Sequence, residues 1–208
     1  MLGIGIPYYK NSNECEIAFK KLMKMLEIQL KDNTILYIYE DGQVSEWLYS
    51  YQNHTDIESN PINQGVAKVR NIIKDYLINK LQCDYILFLD SDDMVDCDFI
   101  SQTLEAISKK EYDMIISPFY MNKEEMLYNL RSNVAGITLR SDFIKDIRFK
   151  EDYNISEDTI FINEVYERKP KIYSISSRYL YNYGINPNSL MKRFERSEIK
   201  LKKENKNE

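Results

Sequence analysis

The sequence predicts an α/β fold, a mixed but mostly parallel sheet flanked by helices. Three observations lead there. Over roughly the first 120 residues, short apolar runs alternate with segments of helical period, the rhythm of β-α-β units. One run, TILYIY (34–39), is apolar or aromatic throughout, which suits a parallel strand covered on both faces. The runs also end in polar residues, often carboxylates, where the ligand edge of such a sheet lies.

Each element follows in order. LGIGIP (2–7) is a short apolar strand ending at proline. Cys15 to Leu30 carries Ile17, Leu22, Leu26 and Leu30 near helical spacing. Thr34 to Tyr39 is the second strand, terminated by Glu40, Asp41 and Gly42, and Gln43 to Tyr51 is expected to be a short helix. Gly65 to Leu81 reads as a longer helix with Val66, Val69, Ile73, Leu77 and Leu81 along one face and Asn63 near its start. Tyr85 to Leu89 is a strand, Asp98 to Lys109 a helix and Met114 to Pro118 another strand. After Pro118 the alternation breaks. Strands are expected at 126–130, 134–139, 172–176 and 179–183, helical turns at 141–146 and a helix at 159–167. From Ser189 onward a lysine- and arginine-rich tail reads as helical.

The 208 residues are enough for one α/β domain with a core. At 43% hydrophobic and 29% charged the composition is globular. The net charge of −5 disfavours broad, nonspecific nucleic-acid binding. Cys15, Cys83 and Cys97 show neither zinc spacing nor a disulfide framework and suit a reducing compartment. No apolar run approaches the ~18 residues of a membrane span, and the first strand starts almost at once. The expectation is a soluble, cytoplasmic protein without a signal peptide or transmembrane segment.

The densest chemical signal is DYILFLDSDDMVDCDFI (84–100). A buried run leads straight into Asp90, Ser91, Asp92 and Asp93, and like charges so close together need something to neutralise them. A divalent cation is one such partner. A calcium loop fails, because Val95 and Ser101 stand where glycine and the bidentate glutamate belong. A phosphatase-type aspartyl nucleophile would sit near the N-terminus. Plain helix capping by Asp96 or Asp98, with a solvated turn before it, is the bland alternative.

Six segments together resemble a family 2 glycosyltransferase of the GT-A fold. They are IGIPYYK (4–10), YIYEDGQ (37–43), NQGVAKVRN (63–71), the acidic run itself, ISEDTIF (155–161) and YLYNYGINPNSLM (179–191). Two departures from the family pattern stand out. Glu40 replaces the usual first aspartate after the second strand, and Gly184 and Ile185 occupy positions where a basic residue is common.

The resemblance implies one GT-A domain over residues 1–208. About 1–120 would form the nucleotide-sugar half, about 121–187 the acceptor half, and 188–208 the charged helical tail. It further implies transfer of a sugar from a nucleotide-sugar donor, UDP-linked by expectation, to a hydroxyl by inverting displacement with Mn2+ or Mg2+. Asp92 would be the direct metal ligand, Asp90 would touch the ribose or a metal-bound water, and Ser91 between them would belong to the donor-binding set. Asp93 is either a second ligand or a helix cap. Asp41 would accept a hydrogen bond from uracil, Tyr9 would pack on the base after Pro7, and Asn63, Gly65, Arg70 and Asn71 would form a third wall. Gly65 would permit close backbone approach, Asn63 could also cap its helix, and Arg70 could instead pair with a strand-end carboxylate. Asp158 would be the general base, although an acidic pair opening a helix also favours the helix dipole.

The acceptor stays open among polysaccharide, lipid carrier, protein and modified nucleic acid. The basic tail could touch an anionic membrane or a partner. A non-catalytic binding subunit of the same fold is the alternative function. A nucleotidyltransferase would need a glycine-rich basic loop that IGIPYYK lacks.

Overall fold

The computed structural model describes residues 1–51, 53–121, 124–126, 133–153 and 156–181. The later part of the strand expected at 126–130, the closing segment from residue 182 and the basic tail lie outside these. Strand β1 (Leu2–Tyr8) opens the fold and runs parallel to both β2 (Thr34–Asp41) and β4 (Tyr85–Phe88). Its residues alternate. Leu2, Ile4, Ile6 and Tyr8 join one core with Phe19, Leu22, Met23 and Leu26 of α1 (Asn13–Gln29). Gly3 and Gly5 face the other side. A Cβ on Gly5 would lie 2.2 Å from Ile73 Cγ2, so helix α2 (Val66–Asp75) packs directly on the strand backbone. Ser12 caps α1 by accepting the Cys15 amide at 3.3 Å.

The sheet has seven strands in the order β10-β6-β9-β4-β1-β2-β3, completed by β3 (Thr55–Asn60), β6 (Met114–Ile116), β9 (Ile137–Arg140) and β10 (Ile172–Ser174). Only β9 runs against its neighbours β4 and β6. Helices α1 and α3 (Phe99–Ser108) contribute to the core on one face. On the other face lie α2, the short α4 (Ser141–Ile144) and α5 (Glu157–Glu167). A second, small sheet has the order β5-β11-β7-β8, from Met94–Val95 (β5), Tyr179–Tyr181 (β11), Phe119–Met121 (β7) and Glu124–Met126 (β8).

Two local expectations are corrected, and one further strand is found. Strand β3 went unseen because TDIESN is an edge strand with one large apolar residue, and its pairing with β2 decides its conformation. The helix expected over 43–51 is a single 3-10 turn, Glu46–Ser50. Buried Glu40 accepts the Ser45 amide at 2.8 Å and the Gln43 side chain at 3.0 Å, which binds the preceding residues to the sheet. The helix expected to run from Gly65 to Leu81 changes at Tyr76 into a π turn, Tyr76–Lys80. There Tyr76 stacks on Tyr37 at 4.0 Å and donates to Asp56, while Leu77 stays buried.

Candidate active site

In a parallel sheet all the carboxyl ends lie along one edge, and the register brings specific ends together. Tyr8 pairs with Glu40 across β1 and β2, and the Leu89 amide donates to the Gly5 carbonyl at 3.1 Å. The residues just beyond, Tyr9, Asp41 and Asp90, therefore share one edge.

One wall is built around Gly42. Its φ of +85° is the left-handed region, and a Cβ there would stand 3.0 Å from the Tyr9 ring and 3.2 Å from Asn63 Cβ. Tyr9, 45% exposed, and exposed Asn63 thus flank the same turn. Half-buried Pro7 lies two residues before Tyr9, in register with Tyr39. Asp41 is buried, and its two oxygens accept the backbone amides of Gln64 at 2.8 Å and Gly65 at 3.1 Å. It holds the loop entering α2 against the end of β2. Gly65, not Asn63, occupies the helix N-cap position. Its φ is +87° and a Cβ would meet nothing within 4 Å. Backbone conformation, not crowding by the protein, explains glycine there. Glu40, the departure from the family pattern, is fully buried and also accepts from Ser59 at 2.9 Å. It organises the turn.

The acidic run beyond β4 divides into distinct roles. Asp93 is buried and receives the Tyr179 hydroxyl. Asp96 accepts the Arg178 amide at 2.9 Å, and Asp98 accepts the Ser177 hydroxyl at 2.6 Å. Three carboxylates therefore fasten the approach to β11. Asp98 takes the N-cap position of α3 without a side-chain bond to the helix backbone; its other oxygen receives Gln102. Asp90, Ser91 and Asp92 are half-buried. Asp92 lies close enough to Cys15 that, after burial, its charge contributes to raising that thiol's pKa.

The third wall centres on Arg70, buried in α2. Nη2 donates to Asp90 Oδ1 at 2.8 Å and Nη1 to Glu157 Oε1 at 2.5 Å. Its Nε is buried and without a hydrogen-bond partner among the described residues. Asp158 is half-buried at the start of α5, and its Oδ1 accepts the Thr159 amide at 2.7 Å. Burial pushes the Asp158 carboxyl above the usual range, with Arg70 opposing and Asp90 reinforcing. Glu157 is likewise raised by burial against the pull of Arg70. A carboxylate held above its ordinary range is better matched to taking up a proton near neutrality.

Sequence reasoning did not include Glu157, Glu40 or Tyr179 among the site residues. Glu157 was recoverable from its adjacency to Asp158. The role of Tyr179 depends on a contact 86 positions away from Asp93 and left no local trace. Among the described residues, no three histidine, cysteine, aspartate or glutamate side chains converge into a ready-made metal cage.

The mixed sheet and its arrangement of strand ends are those of a GT-A-type α/β domain. The chain belongs to glycosyl transferase family 2, whose family model matches residues 4–171. It is 24% identical over 162 residues to the minor teichoic acid biosynthesis protein GgaB of Bacillus subtilis (strain 168), covering 67% of this chain and 17% of GgaB. The structure resembles residues 1–349 of S. aureus TarS solved with UDP-GlcNAc (TM-score 0.72, 17% identity), covering 88% of this chain and 59% of that one. It also resembles the Pyrobaculum calidifontis mannosyltransferase PcManGT in complex with GDP-Man and Mn2+ (TM-score 0.64, 7% identity), covering 88% and 58%. This chain thus spans less than two thirds of each of these relatives.

Proposed function

We propose that the chain transfers a sugar from a UDP-sugar to an acceptor hydroxyl by inverting displacement, aided by Mn2+ or Mg2+. The observation that carries this is the convergence at one sheet edge of the Tyr9–Gly42–Asn63 turn, Asp41, the Asp90–Ser91–Asp92 segment and, through Arg70, the start of α5. The TarS structures with UDP-GlcNAc and with UDP support the donor class, and the Mn2+ in the PcManGT complex supports the metal.

In this reading Tyr9 packs on the base, and the loop fastened by Asp41 holds Asn63 and Gly65 beside the nucleotide. Asp92 supplies a half-buried oxygen ligand of the kind Mn2+ and Mg2+ prefer. A cation held there would supply positive charge opposite the leaving diphosphate. Asp158 removes the proton from the acceptor hydroxyl as it attacks the anomeric carbon, giving inversion. Arg70 holds Asp90 in place at the donor side.

About residues 1–120 form the donor half and 121–187 the acceptor half, with the basic tail left to an anionic surface or a partner. GgaB, by its name a teichoic acid biosynthesis protein, favours a glycopolymer hydroxyl as acceptor. Three free cysteines and the lack, among the described residues, of a helix long and apolar enough to cross a membrane support work in the cytoplasm.

Calorimetric titration of UDP tests the reading. Tighter binding with Mn2+ than in chelator, lost in Asp92→Asn, is the expected result. Equal affinity in chelator would remove the metal from the proposal, and no UDP binding at all would remove the donor.

A further inference from the structure

Building on the assignment of Asp158 as base, we infer that Glu157 is a positioning residue. Through Arg70 it fixes the first turn of α5 and so sets where Asp158 stands relative to Asp90. Three elements distant in sequence meet at one guanidinium. Arg70 comes from α2, Asp90 from the end of β4 and Glu157 from the first residue of α5. Arg70 is 4% exposed and Glu157 6%. Their pairing is therefore shielded from water, where an ion pair is strongly sensitive to geometry.

The surrounding charges favour this pairing. Asp90, Glu157 and Asp158 all act on one cation: burial alone disfavours the charge of Arg70, yet Asp90, then Glu157 and Asp158, reverse that penalty. Arg70 divides its terminal nitrogens between a donor-side carboxylate and an acceptor-side one. This clamps the two sides of the site to each other.

The backbone gives a second reason. Ser156, just before α5, sits at φ +69°, a left-handed conformation that a serine adopts only when its surroundings hold it there. The Ser156 hydroxyl makes no capping bond to the helix. The next side chain, Glu157, is the one anchored, and Asp158 follows directly. Glu157 is a poor base itself, since an oxygen already sits on Arg70 and the side chain is closed to an acceptor. Of the adjacent carboxylates, one anchors and the other reacts.

The test uses Glu157→Ala, Glu157→Gln and the parent, with UDP affinity by calorimetry, kcat and KM for donor turnover, and amide hydrogen exchange along α5. Glu157→Ala should lower kcat roughly 10- to 100-fold, the scale of a misplaced catalytic group. UDP affinity should stay within about twofold, because the lost contact acts on the step after donor binding. Exchange at the Ile160 and Phe161 amides should quicken. Glu157→Gln keeps an oxygen for Nη1 and should fall between parent and alanine in kcat. Unchanged kcat and exchange in Glu157→Ala would overturn the inference. So would kcat and UDP affinity falling together, which would assign Arg70 and Glu157 to donor binding. If the parent neither binds UDP nor turns over a donor, the donor assignment fails separately, and exchange along α5 still decides the anchor.

Discussion

The Tyr179 hydroxyl on β11 donates to the buried carboxylate of Asp93. The acidic segment beyond β4 is thereby held from behind by a strand 86 positions later. Tyr179 also packs against Gly136, where a Cβ would come within 2.6 Å of the ring. Tyr179→Phe keeps the ring and removes the hydroxyl. It should cost about 1–3 kcal/mol, because a buried carboxylate loses a donor. A lower urea midpoint at unchanged slope would show this. Metal-dependent UDP binding should weaken as well, since Asp92 belongs to the same segment. An unaltered midpoint would mean that other groups fully serve Asp93.

Gly42→Ala should weaken UDP binding. The new Cβ would press on the Tyr9 ring and on Asn63, and alanine resists the +85° φ at a cost of about 1–2 kcal/mol. Calorimetry and a denaturation curve on the same sample separate the two effects. An intact UDP affinity beside the expected stability loss would place the base elsewhere.

Asp158→Asn should leave UDP affinity near the parent value and lower turnover by about 10² to 10⁴, the usual contribution of a general base. Transfer at the parent rate would reduce Asp158 to a helix-start carboxylate. The structure argues against Glu157 as a replacement, because Arg70 already occupies it.

The same variant makes a pH-dependent prediction for stability. Burial raises the folded-state pKa of both Asp158 and Glu157, with Arg70 opposing in each case. Above the ordinary carboxylate values of about 3.9 and 4.3, the folded chain holds protons that the unfolded chain has released. The pair's contribution to stability therefore falls as pH rises through the raised values. Urea midpoints between pH 4 and 7 should decline less steeply in Asp158→Asn than in the parent. Removing that carboxylate also relieves Glu157 of a neighbouring negative charge. Identical slopes for the two proteins would show that Asp158 titrates normally.

Much of the scaffold was legible because local pattern and final environment agree. The alternation of Leu2, Ile4 and Ile6 with glycines states a strand packed on both sides, and TILYIY states a buried parallel one. The edge strand TDIESN carried no such signal, since its conformation comes from β2 and not from its own side chains. Nor could local periodicity show the change to a π turn at Tyr76, which accompanies stacking on Tyr37.

The sequence by itself determined where the chemistry gathers. In a parallel sheet every strand delivers its carboxyl end to the same edge, so Tyr9, Asp41 and Asp92, each just past such an end, are expected on one edge once β1, β2 and β4 are recognised. Only the tertiary structure decided how the carboxylates divide the work. Asp41 fastens the Gln64–Gly65 backbone, Asp93 receives Tyr179, and Asp90 and Glu157 share Arg70. A carboxylate's role depends on which donors and cations surround it and how far water is excluded. Those partners come from positions 20 to 87 residues away, and folding alone brings them within reach.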